Sequence, residues 1–154
     1  EFIDNKIQIV FLSYFWKEWS LIDNGMFSAL RGLAIRQGSP TVTGDLYGIS
    51  ALDEDWVVLN QMIKYLKFGF GKITDFVNEE IRNNKISRSD AIELCEKYDG
   101  KCSDQSIDSF CEYIEITKTE FWSTVNESVN LSLFDIIDNG IYKPKFKLGY
   151  GIIS

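Results

Sequence analysis

The chain has 154 residues, enough for one domain with its own core, and its 45% apolar and 14% aromatic content excludes a disordered polypeptide. A formal net charge of -7 argues against nucleic acid as the main partner, because matching a phosphate backbone needs a basic excess. The lack of histidine removes His-based acid–base chemistry and triads, and no apolar run approaches the roughly 20 residues of a membrane-spanning helix.

In chain order, Ile7 to Phe15 (IQIVFLSYF) is apolar on both faces and predicts a strand buried in a parallel sheet. A lone buried strand cannot stand, so residues 1–16 are read as completing an α/β sheet upstream of this chain. An edge strand packed on local helices is the alternative. The opening Glu1-Phe2, with no initiator methionine, fits a fragment.

From Ser20 the spacing of Ile22, Met26, Ala29, Leu30 and Leu33 predicts a helix ending near Gly38 and Pro40. Residues 39–50 (SPTVTGDLYGIS) read as an ordered polar loop of the kind that carries ligand contacts. A helix is expected over about 53–68, with Leu59, Met62, Ile63 and Leu66 inward. On another of its faces Asn60, Lys64 and Lys67 fall at i, i+4 and i+7. Gly69 and Gly71 interrupt it before a second helix at about 73–82.

Three shorter helices follow. Ser87 with Asp90 caps the first, which turns Ala91, Leu94, Cys95 and Tyr98 inward and stops at Gly100. Asp104 opens the next, burying Ile107, Phe110, Cys111 and Ile114. Thr117 and Glu120 form a capping box ahead of Phe121, Trp122 and Val125. Asp138-Asn139-Gly140 is a turn signal before the alternating stretch 142–148. The expected organisation is therefore a mainly α chain with an N-terminal β-strand: a strand in 1–16, a helical domain over 17–130, and a turn, hairpin or tail over 131–154.

Cys95, Cys102 and Cys111 match neither a disulfide framework nor zinc knuckles, and they fall on or beside apolar helix faces. They read as core residues in a reducing, cytoplasmic compartment, and no metal centre is predicted. The best site candidates are Lys64, Lys67 and Lys72 with Gly69 and Gly71: ammonium groups beside a glycine break whose N–H groups hold an anion. The competing reading is a solvated basic face at a helix–helix turn. Asp45, Asp53 and Asp75 border the same segment as candidates for holding a metal, an amine or a sugar hydroxyl, and Asp53 also fits a helix N-cap. Tyr47 is a candidate for stacking on a sugar or base. Trp19 and Asn24 follow the proposed strand, where open α/β folds place ligands, although core packing explains the Trp equally well.

GDLYGISALDEDWVVLNQMIKYLKFGFGKITD (Gly44 to Asp75), ISRSDAIELCEKYDGKCSD (Ile86 to Asp104) and FCEYIEITKTEFW (Phe110 to Trp122) resemble successive segments of the N-acetyl sugar amidotransferases. FLSYFWKEWS (Phe11 to Ser20) is similar to the aromatic strand end that enters this half of the family. The likeness covers most of the chain in order and is weakest after about Ser128. It implies the C-terminal helical part of an α/β PP-loop ATP pyrophosphatase that converts an acetamido group of a surface-polysaccharide sugar to acetamidino. Such enzymes adenylate the amide oxygen with ATP and Mg. Ammonia reaches them from glutaminase and cyclase-like subunits, and their products feed O-antigen, capsule or flagellar sugars.

The family's Ser-Gly-Gly-x-Asp-Ser loop and its cysteine knuckles are absent from these 154 residues. The resemblance therefore implies that this chain alone holds no ATP and is inactive, and that it works with an upstream PP-loop domain. Two alternatives stand beside it. One is a non-catalytic helical protein-interaction module; the other is a different PP-loop activity such as tRNA thiolation.

Overall fold

A computed structural model describes residues 8–12, 15 and 19–152. The chain forms two compact units, Glu1–Leu33 and Ala34–Ser154. It is mainly α, with seven helices and two small antiparallel sheets among the described residues. No described helix is long and apolar enough to cross a membrane.

In the first unit, α1 (Leu21–Ala29) begins where Ser20 Oγ accepts from the Asp23 backbone N–H at 3.2 Å. Ile22 is its buried residue. The helix stops at Ala29, well before Gly38, because Leu30 to Gly32 close as tight turns and Gly32 takes φ +100°. The strand expected over 7–15 lies partly outside the described residues. Residues 8–12 and 15 pair with no strand among the described residues, and the strands that are seen lie at the other end of the chain.

The second unit opens with a short turn of helix, α2 (Pro40–Thr43), and then carries α3 (Val57–Phe68), α4 (Lys72–Arg82), α5 (Arg88–Tyr98), α6 (Asp104–Tyr113) and α7 (Lys118–Ser128). A hairpin of β1 (Phe134–Asp138) and β2 (Ile141–Pro144) follows. The last pair is β3 (Phe146–Lys147) with β4 (Gly151–Ile152). The helix expected from about 53 starts four residues later. Its N-cap is Trp56, so Asp53 is an exposed loop residue rather than the cap. Ser87, Ser103 and Thr117 cap α5, α6 and α7, and Thr117 with Glu120 forms a full capping box.

Two apolar clusters hold this unit. In the larger, Val58, Leu59, Met62 and Leu66 of α3 meet Ile107 and Cys111 of α6, Phe121, Trp122 and Val125 of α7, and Phe134 of β1. In the smaller, Ile73 and Val77 of α4 face Ala91 and Cys95 of α5. Burying each large side chain contributes about 1.5–3 kcal/mol. The glycine pair between α3 and α4 redirects the chain from one cluster to the other. Gly69 ends α3 in the left-handed region at φ +78°, and Gly71 starts α4.

The hairpin belongs to this core. Phe134 is fully buried and packs edge-on against Phe146 at 5.5 Å, with Tyr65 of α3 beside both rings. A two-stranded ladder is marginal in water, and here α7 and α3 supply its missing apolar face.

Candidate functional site

The 45–50 loop is built around Asp45. Its buried carboxylate accepts from the backbone N–H groups of Tyr47 (2.7 Å), Gly48 and Ser50 (2.9 Å), and from the Ser50 hydroxyl (2.6 Å). The carboxylate thus closes the loop on itself. Tyr47 is half-buried and meets Phe76 edge-on at 6.0 Å. Burial, and then the nearby Glu80 carboxylate, raise its phenol pKa.

The lysine face is distributed over the surface. Lys64 Nζ lies 2.7 Å from Asp75 Oδ2 and 4.7 Å from the Phe70 ring centre. Lys72 Nζ sits over the Phe76 ring at 5.1 Å. Lys67 is exposed near the end of α3. The structure thus joins Lys64 to Asp75, and leaves Asp53 exposed in the loop before α3. Trp19 and Asn24 lie in the first unit, Trp19 exposed and Asn24 within α1.

The glycine break does present N–H groups to an anion, and that anion belongs to the chain. Asp99, four per cent exposed, accepts from Gly71 N–H at 2.9 Å, Ile73 N–H at 3.2 Å and the Thr74 hydroxyl at 2.6 Å. Its carboxylate caps α4 from 28 residues away. A Cβ on Gly71 would come within 2.5 Å of Asp99 Oδ1, so only glycine admits this approach. Burial pushes the Asp99 carboxyl up, against the pull of the Thr74, Gly71 and Ile73 donors.

Asp99 also forms part of the wall of a cleft of about 610 Å³, which none of the sequence-predicted site residues lines. Met62, Leu66, Ile107, Trp122 and Phe134 give it an apolar floor, all buried. Glu96, Lys101, Asp104, Asn139 and Lys147, all exposed, give it a polar rim. The volume lies within the roughly 300–1,000 Å³ range of small-molecule sites, and an apolar interior with a few placed polar groups is their usual make-up.

Tyr65 and Cys102 of the cleft wall have suppressed ionisation. Burial, then the nearby Asp99 and Cys95, push the Tyr65 phenol up to about 12. Burial and Asp104 push the Cys102 thiol up to about 12. Cys102 therefore stays a thiol at neutral pH and is a poor nucleophile. Cys95 and Cys111 are buried with thiol pKa values raised chiefly by burial, in keeping with core residues.

Two signals for the cleft were present in the sequence: the Tyr98-Asp99-Gly100 turn and the Asp138-Asn139-Gly140 turn. Neither reveals which helix it faces, α3 for the first and α7 for the second. Gly100 lies against Tyr65, and Gly140 against Trp122.

Comparison with known proteins finds no match among curated proteins and none among solved structures. Residues 45–145, more than half of the chain, match the family described as LPS biosynthesis protein WbpG-like, C-terminal domain. That span holds α3 to α7, the hairpin and all but the last residues of the cleft wall. The chain belongs to the family of C-terminal domains of WbpG-like LPS biosynthesis proteins.

Proposed function

We propose that the 34–154 unit forms the acceptor-sugar side of an ATP-dependent amidotransferase, which converts an acetamido group of a surface-polysaccharide sugar to acetamidino. The observation that carries this reading is the 610 Å³ cleft, with its apolar floor and polar rim, in a domain of an LPS biosynthesis family. An acetamido pyranose has the same division: a methyl group and C–H faces on one side, hydroxyl and amide oxygens around the edge.

The chemistry needs such a cleft. An amide oxygen leaves poorly until it attacks the α-phosphate of ATP, releases pyrophosphate and carries AMP. Ammonia then adds to the activated carbon, AMP departs with the oxygen, and the resulting amidine keeps a proton. Water must be kept from the adenylated intermediate, and a dry apolar floor serves that end. In this reading ATP and Mg bind an upstream PP-loop half, and glutaminase and cyclase-like subunits deliver ammonia. The present chain contributes the sugar site and no nucleotide-triphosphate site.

Calorimetry on the 154-residue chain separates these roles. Titration with UDP-N-acetylglucosamine is expected to give saturable binding at micromolar to low millimolar ligand, and Mg-ATP no micromolar binding. Micromolar affinity for Mg-ATP, or no saturable binding of the sugar nucleotide, would overturn the reading.

A further inference from the structure

The rim of the cleft contains one side chain whose hydrogen-bonding direction is fixed from behind. Asn126, on the rigid frame of α7, donates from Nδ2 to Asn139 Oδ1 at 3.1 Å. Asn126 Oδ1 in turn accepts from the Tyr142 hydroxyl at 2.7 Å. Tyr142 also lines the cleft, and burial raises the pKa of its phenol, so it remains a donor at neutral pH. The chain of bonds runs from Tyr142 through Asn126 to the Asn139 carbonyl oxygen. It leaves the Asn139 NH2 group with no protein partner among the described residues, on a residue that lines the cleft.

The backbone is pinned as well. Gly140 takes φ +76°, and a Cβ there would come within 2.9 Å of Trp122 Cζ2, so the turn lies directly on the indole. Asn139 N–H donates to Asp138 Oδ1 at 2.7 Å, which ties the turn further. An amide whose oxygen is engaged from behind has only N–H to present in front. Such a group favours an oxygen acceptor and disfavours a donor-only group, because a bound ligand that displaces water from the exposed NH2 must supply the acceptor in its place.

We propose that Asn139 is the specificity-determining donor of this cleft and that it binds the carbonyl oxygen of the acetamido group. Asn126 and Tyr142 are the positioning residues that hold it. The inference rests on the cleft being the sugar site and adds a consequence to that reading. Amidination replaces the carbonyl oxygen by nitrogen, and the amidinium product carries only donors. Asn139 therefore distinguishes substrate from product, and its interaction is lost as the reaction completes.

The test compares UDP-N-acetylglucosamine with UDP-glucose, which carries a hydroxyl in place of the acetamido group, on the 154-residue chain. Wild type is expected to prefer the acetamido sugar about tenfold. Asn139→Asp keeps a carbonyl-type oxygen for Asn126 but offers no N–H, so it is expected to erase the preference at an unchanged melting temperature. Asn139→Ala is expected to do the same, and Tyr142→Phe to weaken the preference partly. Equal binding of the two sugars by wild type, or a preference that survives both Asn139 substitutions, would overturn the role of Asn139 and leave the cleft reading standing. Binding of neither sugar by wild type would overturn the cleft reading itself, and this inference with it.

Discussion

Replacing Gly100 by alanine is expected to destabilise the 34–154 unit by about 2–5 kcal/mol, the sum of left-handed backbone strain and overpacking. Gly100 takes φ +70°, just beyond the end of α5. A Cβ at this position would lie 2.2 Å from Tyr65 Cδ1 and 2.4 Å from Cγ. Cγ lies on the axis of ring rotation, so flipping the Tyr65 ring does not clear it. Tyr65 is also held by Phe134 at 5.2 Å and Phe146 at 6.3 Å, and its displacement would disturb the aromatic layer between α3 and the hairpin. Urea unfolding followed by tryptophan fluorescence measures the effect. Gly32, where a Cβ meets nothing within 4 Å, provides the control: alanine there carries backbone strain alone.

Asp99→Ala is expected to cost about 3 kcal/mol, because it removes the cap of α4 and leaves buried donors unpaired. Gly71 N–H, Ile73 N–H and the Thr74 hydroxyl all lose their acceptor together. Asp99→Asn keeps one oxygen and should fall between alanine and wild type. The same pair of proteins reports on protonation. Burial raises the folded Asp99 carboxyl above its ordinary value of 3.8, so the folded state holds this proton more tightly than the unfolded state. The contribution is fully present below pH 3.8 and is lost as pH rises through the folded value. The stability of wild type minus that of Asp99→Asn should therefore fall with rising pH across this window and level off above it. A difference that grows with pH would mean that the three donors outweigh burial.

Much of the architecture could be read from local signals. The capping residues Ser87 and Thr117, the stop at Gly100 and the turn at Asp138-Asn139-Gly140 act within a few residues, and each appears at its expected place. The exit of α1 at Ala29 was harder to read, because Met26, Leu30 and Leu33 continue the helical spacing although all three remain exposed.

The cleft was less legible, for a physical reason. Its walls come from elements far apart in sequence: α3, the end of α5, α7 and the hairpin. At the glycine break, Gly69 N–H closes α3 on the Tyr65 carbonyl, and Asp99 arrives from the end of α5 to accept from Gly71 and Ile73 N–H. Lysines near a glycine break attract attention because charge and backbone freedom are visible in one short window. The residues that line the cavity, such as Tyr65, Trp122 and Phe134, are visible only as core.

Amide-resolved NMR of the isotope-labelled chain during titration with UDP-N-acetylglucosamine tests the sugar-site proposal most directly. Saturating shifts are expected at Gly100, Lys101, Asn139 to Tyr142 and Phe146 to Leu148, which border the cleft. Shifts gathered instead at Lys64, Lys67 and Lys72, or no shifts at millimolar ligand, would contradict it.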